Sequence, residues 1–134
     1  MDEALTTSTR EAMPFATVLG FEVLSATPSQ VVAQAEWRAD RCTVGTALHG
    51  GYLMALADTA GGLLASLNLP AGAGTSTIES KTNFLRGATD GPVMITASLI
   101  HAGRMTIVVQ TDITRADGKL ATRTTQTQAV LQPR

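Results

Sequence analysis

Between residues 48 and 67 the apolar positions Leu53, Leu56, Ala57, Ala60, Leu63, Leu64 and Leu67 recur at helical spacing, and the residues between them are also small or apolar. The pattern predicts one long helix, entered through His49-Gly50-Gly51 and stopped by Asn68 and Pro70. A helix apolar around most of its circumference is expected to be covered on nearly every side. Gly50, Gly51, Ala55, Gly61, Gly62 and Ala65 are small enough to let a sheet come close to the helix backbone, although an interior glycine costs about 1 kcal/mol relative to alanine. Asp58 interrupts this background. No Lys or Arg lies within a turn or two of it, and a buried carboxylate without a partner is unfavourable. Two readings of Asp58 stay open: it bonds a backbone group or faces water at a subunit boundary, or it is a general base or nucleophile in a cleft.

Around this helix the periodicity drops to two. Val31, Ala33, Ala35 and Trp37 alternate with Val32, Gln34 and Glu36, the pattern of a half-buried antiparallel strand. Strands are expected at residues 21–26 and 31–37, joined around Pro28-Ser29-Gln30, with a loop over 38–48. Further strands are expected at 75–85, 93–101, 105–114 and 120–131, separated by turns at Asp90-Gly91-Pro92, Ala102-Gly103 and Asp117-Gly118. Residues 1–10 are polar and threonine-rich and are expected to fray. Residues 11–19 suit a short helix with Pro14 in its first turn and Gly20 as its stop. Residues 70–74 form a flexible connection that lacks the Gly-Lys-Ser/Thr ending of a phosphate loop. Two strands, one helix and four strands give an α+β layout, in which an antiparallel sheet wraps one helix within a single domain spanning 1–134.

Composition narrows the classes. With 134 residues, 44% hydrophobic and 16% charged, the chain can bury a core without staples, and its low charge suggests that some surface is hidden in an oligomer. Cys42 alone permits no disulfide framework, the N-terminus carries no secretory pattern, and no apolar run reaches the length needed to cross a bilayer, so a soluble cytoplasmic protein is expected. The net charge of −1 excludes a strong overall attraction to nucleic acid. The charges are uneven: three basic and eight acidic residues precede position 81, against seven basic and three acidic from Lys81 onward, or −5 against +4. Either this is ordinary scatter on strand faces or the basic half frames a phosphate-rich ligand. Five aromatic residues are too few for base stacking, which favours coenzyme A over a nucleic-acid strand.

His49-Gly50-Gly51 followed after six residues by Asp58, together with Asn83-Phe84-Leu85-Arg86 and Ile100-His101-Ala102-Gly103-Arg104, resembles the hotdog-fold acyl-CoA thioesterases. The resemblance is to the PaaI-like (phenylacetate-pathway) branch and the similar 4-hydroxybenzoyl-CoA thioesterases. It implies a hotdog fold, hydrolysis of an aryl or other bulky acyl-CoA without a cofactor, and a dimer or tetramer with sheets joined edge to edge. It further implies that the Gly50 N–H polarises the thioester carbonyl, that Asp58 activates water or attacks the carbonyl, and that Arg86 and Arg104 contact coenzyme A phosphates. Gly51 and Arg134 are further candidates for binding the coenzyme. Thr77 falls where some relatives hold the attacking water with a hydroxyl, and Thr43 where relatives commonly carry Asn or Gln to assist the carbonyl. His49 is expected to orient the helix entrance by bonding loop backbone. Helix geometry adds an independent constraint: the eight residues from Gly50 to Asp58 span ~12 Å, too far for one carbonyl to touch both, so a shared site needs a second subunit. The competing class is a non-catalytic acyl-CoA-binding domain. A hydratase of this fold would need a histidine soon after Asp58, Gly-x-Ser-x-Gly is absent, and His49, His101 and Cys42 make no metal site.

Overall fold

The computed structural model describes residues 1–133, so Arg134 lies outside the described residues. Two short helices, α1 (Glu3–Ala12) and α2 (Phe15–Leu19), precede strands β1 (Glu22–Ala26) and β2 (Gln30–Ala35). After a 3-10 turn at Ala39–Arg41 comes the long helix α3 (Gly50–Ser66). Strands β3 (Gly74–Phe84), β4 (Val93–Ala102), β5 (Thr106–Thr114) and β6 (Leu120–Leu131) complete the chain. All six strands form one antiparallel sheet in the order β1-β2-β4-β5-β6-β3, curved around α3. This is the hotdog arrangement.

The inner face of the sheet follows from the alternation in the sequence. Register places Ala33 opposite Ile95 and Ile95 opposite Ile113, and these side chains are fully buried with Phe21, Val23, Val31, Val93 and Val109. Leu56, Ala57, Ala60, Leu64 and Ala65 of α3 close that core from the other side. Asn68 ends the helix by donating from Nδ2 to the carbonyls of Leu64 at 2.9 Å and Pro28 at 2.8 Å, which ties its C-terminus to the β1–β2 turn. The β5–β6 hairpin turns at Gly118 (φ 84°), where Arg115 beside Asp117 holds the aspartate carboxyl well below the usual carboxylate range.

The chain departs from the sequence expectations in three places. Residues 1–10 do not fray. Asp2 caps α1 by accepting the Leu5 N–H at 2.9 Å, the Thr6 hydroxyl accepts the Val23 N–H at 2.9 Å, and Thr6 and Thr9 are buried against β1. Residues 11–19 are not one helix but parts of two, because Met13, preceding Pro14, is pushed out of the helical region (φ −127°, ψ 86°); Gly20 (φ 68°) stops the second as expected. Finally, α3 is not covered all round: Gly51, Met54, Asp58 and Ser66 form an exposed stripe, so Asp58 lies at the surface of the single chain rather than in its interior.

The sheet is unevenly finished. One edge strand, β1, lies under α1. The other edge, β3, pairs only with β6, and both of its faces are largely open, with Ile78 59% and Phe84 53% exposed. Its neighbour β6 turns Thr122, Thr124, Gln126 and Gln128 inward, all buried, where the pattern of β4 and β5 would place branched apolar side chains. The fold therefore builds a polar seam beneath the middle of α3, beside an unpaired sheet edge.

Candidate active site

At that seam the Asp58 carboxylate collects two hydrogen bonds on one oxygen. Thr77 of β3 donates its hydroxyl to Oδ1 at 3.1 Å, and Gln126 of β6 donates Nε2 to the same Oδ1 at 3.0 Å. The single proton of Thr77 is thereby committed, so its oxygen must accept from Gln128 Nε2, 2.7 Å away. That fixes the Gln128 amide and turns its Oε1 toward the Thr75 hydroxyl at 3.1 Å. Asp58 thus ends a row of oriented neutral dipoles. Among the described residues no hydrogen bond reaches Oδ2. It borders a cleft of about 600 Å³ whose walls include Thr9, Met13 and Phe15 from the N-terminal helices and Leu63 from α3. Asp58 is the one ionisable group among the described residues lining it. Sequence reasoning missed the two glutamines, because residues 122–128 of β6 are polar at every position and no alternation marks the inward ones.

The start of α3 is arranged differently. His49 is the N-cap: its imidazole accepts the Gly51 N–H through Nδ1 at 2.8 Å, and its own N–H bonds the Arg41 carbonyl at 2.8 Å. Accepting through Nδ1 requires the tautomer with hydrogen on Nε2. The bond also takes Gly51 out of any role as a ligand donor. Gly50 keeps a free N–H among the described residues, at the positive end of the helix. This N–H opens beside a second cleft of about 390 Å³ lined by Leu48, Leu53, Phe84 and Arg86. The Phe84 ring sits so close over Gly50 that a Cβ there would lie 3.1 Å from it.

Within one chain these parts are separate. Asp58 and Gly50 line different clefts, as the helix geometry requires. Thr43 is exposed, its N–H bonded to the Ala47 carbonyl at 2.9 Å, and it lines neither cleft. Arg86 borders the Gly50 cleft while donating to the Leu120 carbonyl at 3.0 Å. Arg104 stands on the β4–β5 turn, in a third depression with Ile78 and Met105. The positive C-terminal half is partly neutralised, since Arg115 and Arg123 pair with Asp117 and Asp112. Tyr52, on the far side of the helix start, donates its hydroxyl to the Leu19 carbonyl at 2.6 Å; burial pushes its phenol up, against the pull of Arg41, whose guanidinium lies 5.3 Å over the ring. It is a wall of the fold and no proton donor.

Residues 45–122 match the model of the thioesterase superfamily. The chain belongs to that family. Over 105 residues it is 31% identical to "Putative esterase SSO2140" of Saccharolobus solfataricus, covering 78% of this chain and 74% of that protein. A thioesterase of Haemophilus influenzae superposes with a TM-score of 0.83 at 30% identity, over 88% of this chain and 82% of that one. A hypothetical thioesterase of Streptococcus pneumoniae, solved with coenzyme A, gives 0.82 at 27% identity over 93% and 98%. The protein is thus a thioester hydrolase of the hotdog fold. No helix among the described residues is long and apolar enough to cross a membrane.

The cap geometry separates two roles for His49 in this thioesterase. A His49→Ala variant loses the bond to Gly51 and should lower stability by about 1 kcal/mol, read as a shift in the urea midpoint at unchanged slope. Its turnover should stay within roughly tenfold of wild type, whereas loss of a general base would cost about 100-fold or more.

Proposed function

We propose that the thioesterase hydrolyses an acyl-CoA, with an aryl or other bulky acyl group, in sites built from two chains. The observation that carries this reading is the placement of β3. Its Thr77 holds Asp58, its Phe84 covers Gly50, and its outer edge has no strand beside it. A long open edge strand invites pairing. If β3 pairs antiparallel with itself about Ser80 and Lys81, Thr77 of one chain lies opposite Phe84 of the partner subunit. Asp58 of one helix is thereby brought toward Gly50 of the other, and the two clefts merge. Two such sites result, related by the dimer axis. A further pairing of dimers into a tetramer belongs to the same reading, as does a cytoplasmic location with Cys42 reduced.

In the merged cleft the thioester carbonyl oxygen takes the Gly50 N–H, at the end of the helix where a developing negative charge is favoured. Asp58 then removes a proton from water as the hydroxyl adds to the carbonyl carbon, or its carboxylate adds directly to give an anhydride that water opens. In either route the tetrahedral oxyanion collapses by breaking the C–S bond, and CoA leaves as a thiolate that is stable enough to need little acid assistance. The acyl group fits the cleft walled by Met13, Phe15 and Leu63. Arg86 and Arg104 are assigned to the coenzyme's phosphates, which suit guanidinium groups. The position of Thr43 leaves the carbonyl with one donor from this stretch, and a non-catalytic acyl-CoA-binding domain is the reading this favours if turnover is absent.

Asp58→Asn keeps the side chain's size and removes the base, so it should fold normally and lose about 100-fold or more in turnover of acyl-CoA, followed as free thiol. Near wild-type hydrolysis by that variant would retire the assignment.

A mixing experiment tests the shared site. Gly50→Pro removes the N–H at a helix position where proline is tolerated. Co-refolding it with Asp58→Asn should restore roughly a quarter of full activity, because random pairing makes half the dimers mixed and each carries one intact site. Mixed dimers without recovery would place the whole site in one chain.

For Arg86→Ala and Arg104→Ala the expected change is a higher KM with CoA esters and little change with the matching pantetheine thioester, since the phosphates lie remote from the reacting carbon. Equal losses with both substrates would mark the arginines as structural.

A further inference from the structure

Gln126 is fully buried on the inner face of β6. Packing alone does not account for it there, since a methionine or leucine would fill the same space without a polar group to satisfy. Its Oε1 has no partner among the described residues. Helix α3 also yields to it: a Cβ on Gly61 would stand 2.0 Å from that oxygen, so an alanine, the better helix former, is shut out. An unmet acceptor and an interior glycine thus accompany the one N–H that reaches Asp58 Oδ1. The other donor to the same oxygen, Thr77, is itself oriented by Gln128.

We propose that Gln126 is a positioning residue for the hydrolysis: with Thr77 it fixes Asp58 through Oδ1 and leaves Oδ2 as the oxygen that reacts. This rests on the reading of Asp58 as the reacting carboxylate. Two donors on one oxygen set the plane and rotamer of the carboxylate. The groups facing Asp58 are Thr75 and Thr77 on β3, Gln126 and Gln128 on β6, and Ser8 and Thr9 on α1, none of them charged.

The test compares Gln126→Met, which keeps length and loses the donor, with Gln126→Glu, which keeps the shape and adds a second carboxyl. The substrate is whichever aryl or branched acyl-CoA the wild type turns over fastest. For Gln126→Met, kcat should fall about tenfold with KM within about twofold, and the acidic limb of the kcat profile should move to higher pH as a donor to the carboxylate is lost. For Gln126→Glu the limb should move further in the same direction, because two adjacent carboxyls share a proton. Carbon-13 NMR of protein labelled at the aspartate carboxyls, assigned by Asp58→Asn, reads the same shift without reference to turnover. A carboxyl signal whose titration is unmoved in both variants overturns the proposal, and so does a loss of activity confined to KM. A moved signal together with an active Asp58→Asn enzyme also overturns it, and locates the failure in the role of Asp58 rather than in the contact.

Discussion

The distance at which α3 can lie on β6 governs the rest of the molecule. Leu56, Ala57, Ala60, Leu64 and Ala65 put only modest bulk between the helix and the sheet, and at Gly61 there is no side chain at all. This lets a buried glutamine stand upright beneath the helix and reach past it to Asp58. A larger residue at position 61 would lift the helix or fold the amide aside, and the carboxylate would lose its fixed orientation. Rotation of the helix is resisted at both ends: the backbone N–H of His49 bonds the Arg41 carbonyl and that of Leu48 the Ala88 carbonyl, and Asn68 anchors the last turn to Pro28. Packing in this protein is thus a means of aiming one carboxylate.

The same rigidity explains why one chain looks unfinished. With α3 fixed in rotation, Gly51, Met54, Asp58 and Ser66 have to face away from the sheet, and β3, which runs beneath Asp58 and Gly50 alike, is left as an edge. An edge strand carrying Ile78 and Phe84 more than half exposed is poorly protected by the usual devices, for it has no proline and, among the described residues, no covering helix along its free side. Only Glu79 and Lys81, two residues of opposite sign, offer the kind of charge that discourages pairing. An exposed apolar edge beside an open helix stripe is what a subunit boundary presents when its partner is removed.

How much of this the sequence discloses depends on which force specifies each part. The helix and strands β4 and β5 follow from hydrophobic periodicity, β3 from its β-branched residues, and β6 has the bounds expected for it. Helix α1 was illegible because its buried face is made of Thr6 and Thr9, poor helix formers whose hydroxyls find their partners on β1, far along the chain. The break at Met13 was legible in principle, since a residue before proline resists the helical region, but it was outweighed by the apolar run that follows. For the site, His49, Gly50 and Asp58 were marked by local chemistry, and the separation of Gly50 from Asp58 is pure helix geometry. Gln126 and Gln128 were not marked, because a glutamine on a strand looks like a solvated residue until the register shows it facing inward. Thr43 was singled out by the family resemblance, and in one chain it is exposed and lines neither cleft.

Asp58 and Gly50 also gain from being kept apart within one chain. A carboxylate in the first turn of α3 would lie against the free N–H groups and the positive end of the dipole, and the two would neutralise each other. Eight residues further on, the dipole's influence has faded, since it acts mainly over the terminal turn, and Asp58 is instead held by neutral donors that orient it without cancelling its charge. The donor at Gly50 stays unmet for the same reason. On the proposed reading, a carbonyl placed between one helix's start and another helix's middle would meet both groups. A single straight helix can separate a charge from the dipole that would quench it, but it cannot then bring them back together. In the proposed dimer that second step comes from symmetry, and the open edge of β3 and the proposed chemistry of Asp58 then become one structural requirement and not two.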